Sequence, residues 1–307
     1  MSMEDRDGYI WVDGELVNWR DAKVHVLSYT FMHGAGFFEG VRVYNGASGP
    51  AVFRLQDHTR RFFDSAKILQ MKMPFREEEI EQAQIATVSA NGLKQCYIRP
   101  LGYYDGQMVG LPAQGNGVHV AVAVWEFDDI LGKDAKNDGI RVKTSSFSRH
   151  HINAAMSKAK ANGQYINSML AINEVKAAGY TDALLLDSHG YVAECTTSNI
   201  FMVRDGIIST PEKTAILEGI TRDTVMTFAA ERGMELKERN ITRDELYCAD
   251  ELFVTGTAVE ITPIVELDNR VIGDGRPGEV VKTFQKMFND IVMGHVEDKR
   301  GWLTPVK

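Results

Sequence analysis

The apolar residues alternate in some stretches of the chain and recur at helical spacing in others, which predicts a protein that mixes strands and helices. The Asp13-Gly14 pair between the first two alternating runs is typical of a hairpin turn. The predicted strands are residues 9–12, 15–17, 38–44, 51–53, 96–103, 118–125 and 140–144, with short runs between 183 and 208 and further ones up to 265. The predicted helices are residues 55–69, 77–91, 163–178, 221–232 and 279–293.

A charged stretch at residues 128–138, poor in large apolar groups, divides this pattern into two parts. The elements before it predict an α+β portion with mostly antiparallel strands. A length of 307 residues is also suited to two domains. We therefore expect a small N-terminal domain at 1–127, an interdomain linker at 128–139 and a large C-terminal domain at 140–307.

The composition narrows the class of protein. Hydrophobic residues make up 44% and charged residues 25%, as in ordinary globular proteins. Lys and Arg number 34 against 42 Asp and Glu, and no cluster of Lys and Arg is longer than two residues, which argues against nucleic-acid binding. The longest apolar stretch, residues 118–125, is far below the roughly 20 residues that span a bilayer. Three cysteines without CxxC spacing and an acidic start without an apolar segment indicate a cytoplasmic protein that needs no signal peptide.

Four polar segments lie at the edges of predicted elements, where side chains and backbone N–H groups can meet a ligand. They are residues 156–165, 194–201, 217–223 and 255–261. A helix that starts after Gly219 would offer N–H groups and a partial positive charge to an anion, but ordinary capping would explain it equally well. Lys158 and Lys160 lie among small residues, where a desolvated lysine can become a nucleophile; a surface position is the alternative.

Other common sites are not indicated. The His150-His151 pair occurs without the spacing of a zinc motif, so we expect no metal site. The glycines at positions 34, 36 and 40 do not have the spacing of the dinucleotide-binding fingerprint.

Together, the polar segments resemble the class IV aminotransferase signature in residue type and spacing. Residues 194–201, 208–210 and 217–222 carry the core of this resemblance. Residues 160–165 resemble the segment that holds the pyridoxal phosphate lysine in branched-chain amino acid aminotransferases. The match is completed by residues 38–42, 64–67, 97–100 and 256–258, and it extends from about residue 9 to residue 302.

The resemblance implies pyridoxal 5'-phosphate as the cofactor. Lys160 would be the Schiff-base and proton-transfer residue, because its spacing to Tyr165 suits the family better than that of Lys158. Glu194 has the family position of the ring-nitrogen partner, and Tyr165 that of the donor to the phenolic oxygen. Arg61 aligns with the family's phosphate arginine, and because Arg60 points about 100° away on the same helix, only one of the two can face inward. The implied phosphate ligands are the side chain of Arg61 and the N–H groups of Ile220, Thr221 and Thr257.

The resemblance also implies a substrate pocket, which differs from the usual family pattern. Its implied residues are His33, Phe38, Tyr97, Arg99, Thr257 and Ala258. Arg99 has the family position linked with the distal carboxylate of glutamate. His33 stands where the family usually has tyrosine, and Phe127 and Ile130 stand where it has tryptophan and tyrosine. The cofactor set is therefore intact while the pocket is altered.

The fold implied is the two-domain fold type IV, mixing α+β and α/β structure, with a small N-terminal α+β domain and a larger C-terminal pseudo-barrel domain. The activity implied is ping-pong transamination between branched-chain L-amino acids (Leu, Ile, Val) and 2-oxoglutarate, as in branched-chain amino acid biosynthesis. We expect a homodimer or higher homo-oligomer whose residues 105–111 close the partner's pocket, with small-molecule substrates and neither nucleic acid nor membrane as partner. The alternatives are a D-amino acid or (R)-amine aminotransferase, an aminodeoxychorismate lyase and a non-catalytic binding protein on the same scaffold.

Overall fold

A computed structural model describes residues 2–108, 110–113, 115–127, 131–132 and 134–306. The chain forms two compact units. Unit 1 comprises Met1–Phe127, Ala159–Gly163 and Asp290–Lys307, and unit 2 comprises Asp128–Lys158 and Gln164–Asn289. The first boundary coincides with the predicted one, but a short internal segment and the C-terminal segment belong to unit 1 instead of a continuous C-terminal domain. Residues 128–130 and 133 of the expected linker, including Ile130, lie outside the described residues.

The elements follow one another along the chain in this order. The strands are β1 Tyr9–Val12, β2 Glu15–Asn18, β3 Phe37–Phe38, β4 Val41–Gly46, β5 Gly49–Phe53, β6 Cys96–Tyr104, β7 Val118–Trp125, β8 Ile140–Thr144, β9 Asp182–Leu186, β10 Val192–Cys195, β11 Asn199–Arg204, β12 Ile207–Thr210, β13 Leu236–Glu238, β14 Glu251–Gly256, β15 Glu260–Leu267, β16 Arg270–Val271 and β17 Leu303–Pro305. The helices are α1 Tyr29–His33, α2 Leu55–Ile68, α3 Glu77–Ala90, α4 Ala135–Asp138, α5 Tyr165–Ala177, α6 Ile220–Glu231, α7 Arg243–Tyr247 and α8 Glu279–Val292.

The five predicted helices are confirmed as α2, α3, α5, α6 and α8, with ends that differ by two residues at most. The short helices α1, α4 and α7 were not predicted, because one or two turns give too few positions for a periodic pattern. Helix α4 lies inside the stretch that was expected to be a linker. Among the described residues, no helix combines the length and the apolar character needed to cross a membrane.

Unit 1 is built on an eight-stranded antiparallel sheet. Its strand order is β17-β5-β4-β6-β7-β1-β2, and β3 pairs with β6. Apolar side chains of α2 and α3, such as Phe62 and Ile80, pack with those of Val41 and Ile98 in a fully buried core. Strand β17 pairs with β5 through Leu303 and Phe53, which brings the C-terminal segment into this unit. The expectation of an antiparallel α+β unit is confirmed.

Unit 2 is built on a nine-stranded mixed sheet. Its strand order is β10-β9-β8-β15-β14-β11-β12-β13, with β16 beside β15. Strand β8 runs parallel to both of its neighbours, and β12 runs parallel to β13. Although β10 and β13 stand at opposite ends of this order, the N–H of Val192 in β10 donates to the carbonyl of Ile241, just after β13, at 2.9 Å. The sheet therefore curls until its edges approach, which confirms the expected pseudo-barrel.

The predicted single strand at 38–44 is interrupted, and the interruption places a charged group in the interior. Residues Phe38 and Val41 keep one register against β6, opposite Leu101 and Ile98. Pro100, which falls opposite Glu39 in this register, has no N–H and leaves the ladder incomplete. The break separates β3 from β4, and the side chain of Glu39 is completely buried there.

A second buried carboxylate lies at the start of β9. Asp182 accepts hydrogen bonds from the hydroxyl of Thr196 at 2.5 Å and from the N–H of Ala183 at 2.8 Å. Burial raises the pKa of Asp182 to about 6, despite these hydrogen bonds. The folded protein therefore holds this proton at pH values where the unfolded chain has lost it.

This carboxylate gives a pH-dependent term in stability. A pKa raised from 3.8 to about 6 makes the contribution of Asp182 fall as the pH rises through that window and stay low above it. The total loss of unfolding free energy from this group is up to about 3 kcal/mol. We expect Asp182→Asn to be more stable than the wild type at pH 7.5, and its advantage to be about 1 kcal/mol smaller at pH 5. Urea unfolding at one protein concentration measures both differences; an advantage that does not change with pH would contradict the assignment.

Candidate active site

Lys160 lies in the short segment that unit 1 takes from the middle of the chain. Its carbonyl accepts from the N–H of Phe38 at 3.1 Å, and its own N–H donates to the hydroxyl of Ser65 on α2 at 3.0 Å. Two residues later, the N–H of Asn162 donates to the carbonyl of Gly36 at 2.9 Å. The ammonium nitrogen is 5.1 Å from the centre of the Phe38 ring. The backbone of Lys160 is thus held from both sides beside β3, and its partly buried side chain faces an aromatic ring.

A buried charged cluster lies next to it, formed by Glu39 at the break between β3 and β4 and by two residues of α2. The Nε and Nη2 atoms of Arg61 donate to the two carboxylate oxygens of Glu39 at 2.6 and 2.9 Å. His58, one turn earlier on α2, contacts the same carboxylate through Nδ1 at 2.8 Å. Arg60 is exposed, so Arg61 is the one of these two arginines that faces the interior, where it contacts Glu39.

The protonation of this cluster follows from its burial. Burial alone would raise the pKa of Glu39, but Arg61 and the hydrogen bond from His58 outweigh it and hold that pKa well below its usual range. Burial lowers the pKa of His58, so this ring is neutral at pH 7 and its Nδ1 donates to Glu39. The sequence contained a signal for the cluster that we did not use, because positions 58 and 61 lie on one face of a helix.

Arg99 is surrounded by aromatic rings. The central carbon of its guanidinium is 4.4 Å from the ring centre of Phe38, 5.4 Å from that of Tyr97 and 5.9 Å from that of Trp125. Phe127 extends this wall by stacking on Tyr97 at 4.6 Å. The Nε atom of Arg99 is buried and makes no hydrogen bond within the described structure. The fold therefore gathers Phe38, Tyr97 and Arg99 as expected, and it leaves a cationic donor among apolar walls.

The position of Tyr97 depends on a glycine. A Cβ atom on Gly40 would lie 1.7 Å from the hydroxyl oxygen of Tyr97, so a larger residue would displace this ring. His33 ends α1 in an exposed position, where its ring packs on Tyr29 at 4.4 Å. Its described contact is thus with its own helix, and its role in the pocket stays a prediction.

In unit 2, Glu194 on β10 is the centre of a polar network. Its Oε2 atom accepts from the side-chain amide of Asn199 at 3.3 Å and from the N–H of Leu217 at 3.2 Å. Its Oε1 atom is 2.8 Å from Nε of Arg149. The side chains of Glu194 and Arg149 are each 8% exposed. A buried carboxylate with such donors suits a cationic partner.

Asn199 joins two of the segments that the sequence had indicated. Its amide also donates to the carbonyl of Leu217 at 3.0 Å. A Cβ atom on Gly219 would lie 2.0 Å from Oδ1 of Asn199, so this close approach requires glycine. Helix α6 begins directly afterwards at Ile220, and Thr221 in its first turn is buried. First-turn N–H groups have no acceptor within a helix and favour anions.

A third segment, the turn between β14 and β15, lies beside Ser198, the residue before Asn199. It contains Thr257 and Ala258, both partly buried. A Cβ atom on Gly256, before the turn, would lie 3.5 Å from Cβ of Ser198. The hydroxyl oxygens of Ser198 and Thr255 are buried and make no hydrogen bond within the described residues. Two unsatisfied hydroxyls beside a tight turn and a helix start are suited to an anionic ligand.

The second candidate lysine, Lys158, differs from Lys160 in its contacts. The ammonium of Lys158, in unit 2, contacts the carbonyls of Ile216 at 3.1 Å and of Lys213, and it is 3.6 Å from a carboxylate oxygen of Glu218. Burial lowers the pKa of Lys158. The side chain of Lys158 therefore binds the segment before α6. Tyr165 begins α5 in a partly buried position.

Neither the cysteines nor the histidines form a further centre in the described part of the chain. Cys96 and Cys195 are buried, Cys248 is exposed, and all three are free thiols. Within the described ranges, no three His, Cys, Asp or Glu side chains are grouped so as to hold a metal ion.

The chain is similar to known proteins over its whole length. Residues 36–267 match the family model described as Amino-transferase class IV. A branched-chain-amino-acid aminotransferase of Pseudomonas aeruginosa is 53% identical over 307 residues, which cover 100% of both chains.

Solved structures of such enzymes are also similar. The branched-chain amino acid aminotransferase of Escherichia coli matches with a TM-score of 0.96 and 39% identity, over 98% of this chain and 100% of that one. The T.th. branched-chain amino acid aminotransferase complexed with N-(5'-phosphopyridoxyl)-L-glutamate matches with a TM-score of 0.93 and 44% identity, over 98% and 99% of the two chains.

Proposed function

The chain belongs to the class IV aminotransferase family, in its branched-chain amino acid group, and from this premise we propose that it transfers amino groups between branched-chain L-amino acids (Leu, Ile, Val) and 2-oxoglutarate. Transamination itself follows from the family. The observation that carries the choice of substrates is Arg99, a guanidinium with a buried, unsatisfied Nε among aromatic rings. The apolar walls suit the isobutyl group of leucine, and the cationic donor suits the distal carboxylate of glutamate or 2-oxoglutarate.

The chemistry of the residues fits pyridoxal 5'-phosphate. Glu194 offers a buried carboxylate to a ring nitrogen, and Lys160 offers an amine beside an aromatic face. The unsatisfied hydroxyls of Ser198 and Thr255 add donors near the turn that holds Thr257. The related T.th. enzyme was solved with a phosphopyridoxyl adduct of L-glutamate.

Each residue of the cofactor set then has a distinct task. When bound, the cofactor supplies an electron sink for negative charge at the substrate Cα. Lys160 would provide the amine for covalent attachment and, once released, its Nζ would take the proton from the substrate Cα as general base and donate it to C4′ of the cofactor as general acid. Glu194 keeps a proton on the ring nitrogen by charge attraction. The hydroxyl of Tyr165 donates to the phenolic oxygen.

The phosphate grip is assigned to Arg61 and to backbone donors. Because Glu39 holds Nε and Nη2 of Arg61 bidentately, the guanidinium is fixed in direction before any ligand arrives. The N–H groups of Ile220 and Thr221 belong to the first turn of α6, where the helix dipole favours an anion. The N–H of Thr257 adds a donor from the β14–β15 turn.

The substrate residues would serve both half-reactions of a ping-pong cycle. Phe38 and Phe127 contribute apolar surface for leucine, while Arg99 can grip the distal carboxylate of glutamate bidentately. The N–H groups of Thr257 and Ala258, with the hydroxyl of Tyr97, are proposed to bind the α-carboxylate that all substrates share. His33 is proposed as a further pocket residue.

Arg99→Leu tests this division of roles. We expect the variant to bind glutamate and 2-oxoglutarate more weakly by about 2 kcal/mol or more while leucine is spared, because only the distal carboxylate loses its partner. Half-reaction titrations with leucine and with glutamate, on the variant and the wild type, measure the two losses. Arg60→Leu removes an exposed arginine from α2 and is the matched control.

Equal losses for leucine and glutamate would show that Arg99 supports the fold or the shared α-carboxylate. A donor panel with D-alanine and an (R)-amine tests the alternatives of a D-amino acid or an (R)-amine aminotransferase. If no branched-chain L-amino acid were accepted, the substrate assignment would fall while transamination would stand.

We further propose at least a homodimer, in which residues 105–111 form the rim of the partner's pocket. In the described part of this loop, Asp105 accepts from the N–H of Gly117 at 3.0 Å, and its carbonyl accepts from Tyr29 at 2.7 Å. These bonds fix the base of the loop; Val109 lies outside the described residues. Sedimentation equilibrium tests the assembly, and a monomer at working concentration would contradict it.

A further inference from the structure

Arg149 makes a buried contact of opposite charges with Glu194. Its backbone is anchored by a 2.7 Å hydrogen bond from its N–H to the carbonyl of Leu186, at the end of β9. Its Nε lies 2.8 Å from Oε1 of Glu194, but no aligned hydrogen bond is made by that N–H. The contact is therefore mainly one of charge. Removing either charge would leave the other buried without its compensation.

His150 supports the guanidinium from the other side. Its Nδ1 is 3.3 Å from Nη1 of Arg149. Burial, together with the charge of Arg149, lowers the pKa of His150 to about 4, so the ring is neutral at pH 7. Because Nδ1 faces a donor, it is the accepting nitrogen and Nε2 carries the proton. His150 thus receives a hydrogen bond from Arg149 without adding a second positive charge.

Among the described groups that face Glu194, Arg149 is the cation in direct contact. The side-chain amide of Asn199 on β11 and the N–H of Leu217 are neutral donors. Lys158 acts on Glu194 through its charge while its ammonium is held by carbonyls of the segment before α6. On the neighbouring strand β9, Asp182 is a further acidic group, and it accepts hydrogen bonds from Thr196 and Ala183.

We infer that Arg149 is a positioning residue, which keeps Glu194 ionised and aimed so that this carboxylate can hold the proton on the cofactor's ring nitrogen. The inference rests on the proposed role of Glu194. Without the guanidinium, a carboxyl group with so little exposure would take up a proton. A neutral carboxyl would still fill the space, but it would no longer favour a protonated ring nitrogen.

The test compares two ligands that differ only at the ring nitrogen. The full-length protein is freed of cofactor and titrated, by fluorescence quenching, with pyridoxal 5'-phosphate and with its 1-deaza analogue, in which C–H replaces the nitrogen. Wild type should prefer the nitrogen-containing ligand. Arg149→Met should bind pyridoxal 5'-phosphate at least about 10-fold more weakly and the 1-deaza analogue within about 2-fold of wild type. Raising the pH should restore part of the preference, because it ionises Glu194 again.

Two further variants keep the result interpretable. Arg149→Lys retains the charge and should keep most of the preference, since the native contact is not an aligned hydrogen bond. Arg60→Met, which removes an exposed arginine, should change neither affinity. Equal losses for both ligands in Arg149→Met and in Arg149→Lys would mean that Arg149 only supports the fold, and an unchanged preference in both would also overturn the inference.

Glu194→Gln separates this inference from the proposed function. If that variant loses the preference while Arg149→Met retains it, Glu194 is the ring-nitrogen partner and only the role of Arg149 is wrong. If the wild type shows no preference and Glu194→Gln changes neither affinity, the role of Glu194 is wrong, and the inference about Arg149 is overturned with it.

Discussion

Lys160→Ala is expected to abolish transamination, with a fall in turnover of at least about four decades, or about 5 kcal/mol in activation free energy. The variant loses both the amine that attaches the cofactor and the base that moves the Cα proton. The fold should persist, because the bonds that hold residue 160 to β3 and α2 use its backbone. Borohydride treatment followed by peptide mass analysis measures the attachment: the wild type should carry reduced cofactor on Lys160, and the variant should carry none.

Lys158→Ala is the matched control for this experiment. The ammonium of Lys158 binds carbonyls of Lys213 and Ile216, so its loss should loosen that segment and leave the covalent attachment intact. We expect a reducible cofactor linkage in this variant. The opposite pattern, in which Lys158→Ala loses the linkage and Lys160→Ala keeps it, would move the attachment site by two residues.

Glu194→Gln is expected to lower turnover by two decades or more, about 3 kcal/mol. Glutamine keeps the shape and can still accept from Asn199 and Leu217, but it has no charge to hold the ring-nitrogen proton when electrons flow into the ring. Single-turnover rates with leucine, followed by the cofactor absorption, measure the loss of chemistry apart from binding.

Glu212→Gln, an exposed carboxylate in the segment before α6, is the control and should react at the wild-type rate. Near-normal single-turnover rates in Glu194→Gln would show that another group is the partner of the ring nitrogen. A loss confined to the Michaelis constant would indicate that Glu194 acts in binding and not in the chemical step.

The charged cluster of Glu39, His58 and Arg61 shows how far sequence reasoning reached. The resemblance proposed Arg61 as the phosphate arginine, and the helical period of α2 added only that Arg60 and Arg61 cannot both face inward, because neighbours on a helix point about 100° apart. The helical period did not reveal that Arg61 is held by Glu39, since Glu39 lies at the break between β3 and β4 and its approach to α2 depends on the register of these strands. Pairing at such a distance along the chain has no periodic signature.

Arg149 and the C-terminal strand were missed for the same reason. Nothing local distinguishes Arg149 from a surface arginine; its contact with Glu194 appears only when the segment after β8 is anchored on β9. Likewise β17 pairs with β5, which lies near the opposite end of the sequence. The order of residues alone therefore placed β17 in the C-terminal domain. Long-range strand pairing is set by tertiary packing, and residue propensity does not contain it.

The periodic elements followed from the order of residues alone, and the resemblance added the class of the chain and the proposal of Lys160, Glu194 and Arg99 as site residues. Such features depend on local period, spacing and residue type, which can be recognised from the order of residues. Tertiary packing sets which groups lie together: Asn199 with Glu194 and Leu217, the aromatic rings around Arg99, and the guanidinium of Arg149 beside a buried carboxylate. Their burial fixes the protonation of His58, His150 and Asp182. Whether a buried group is ionised depends on its three-dimensional surroundings, which the order of residues does not specify.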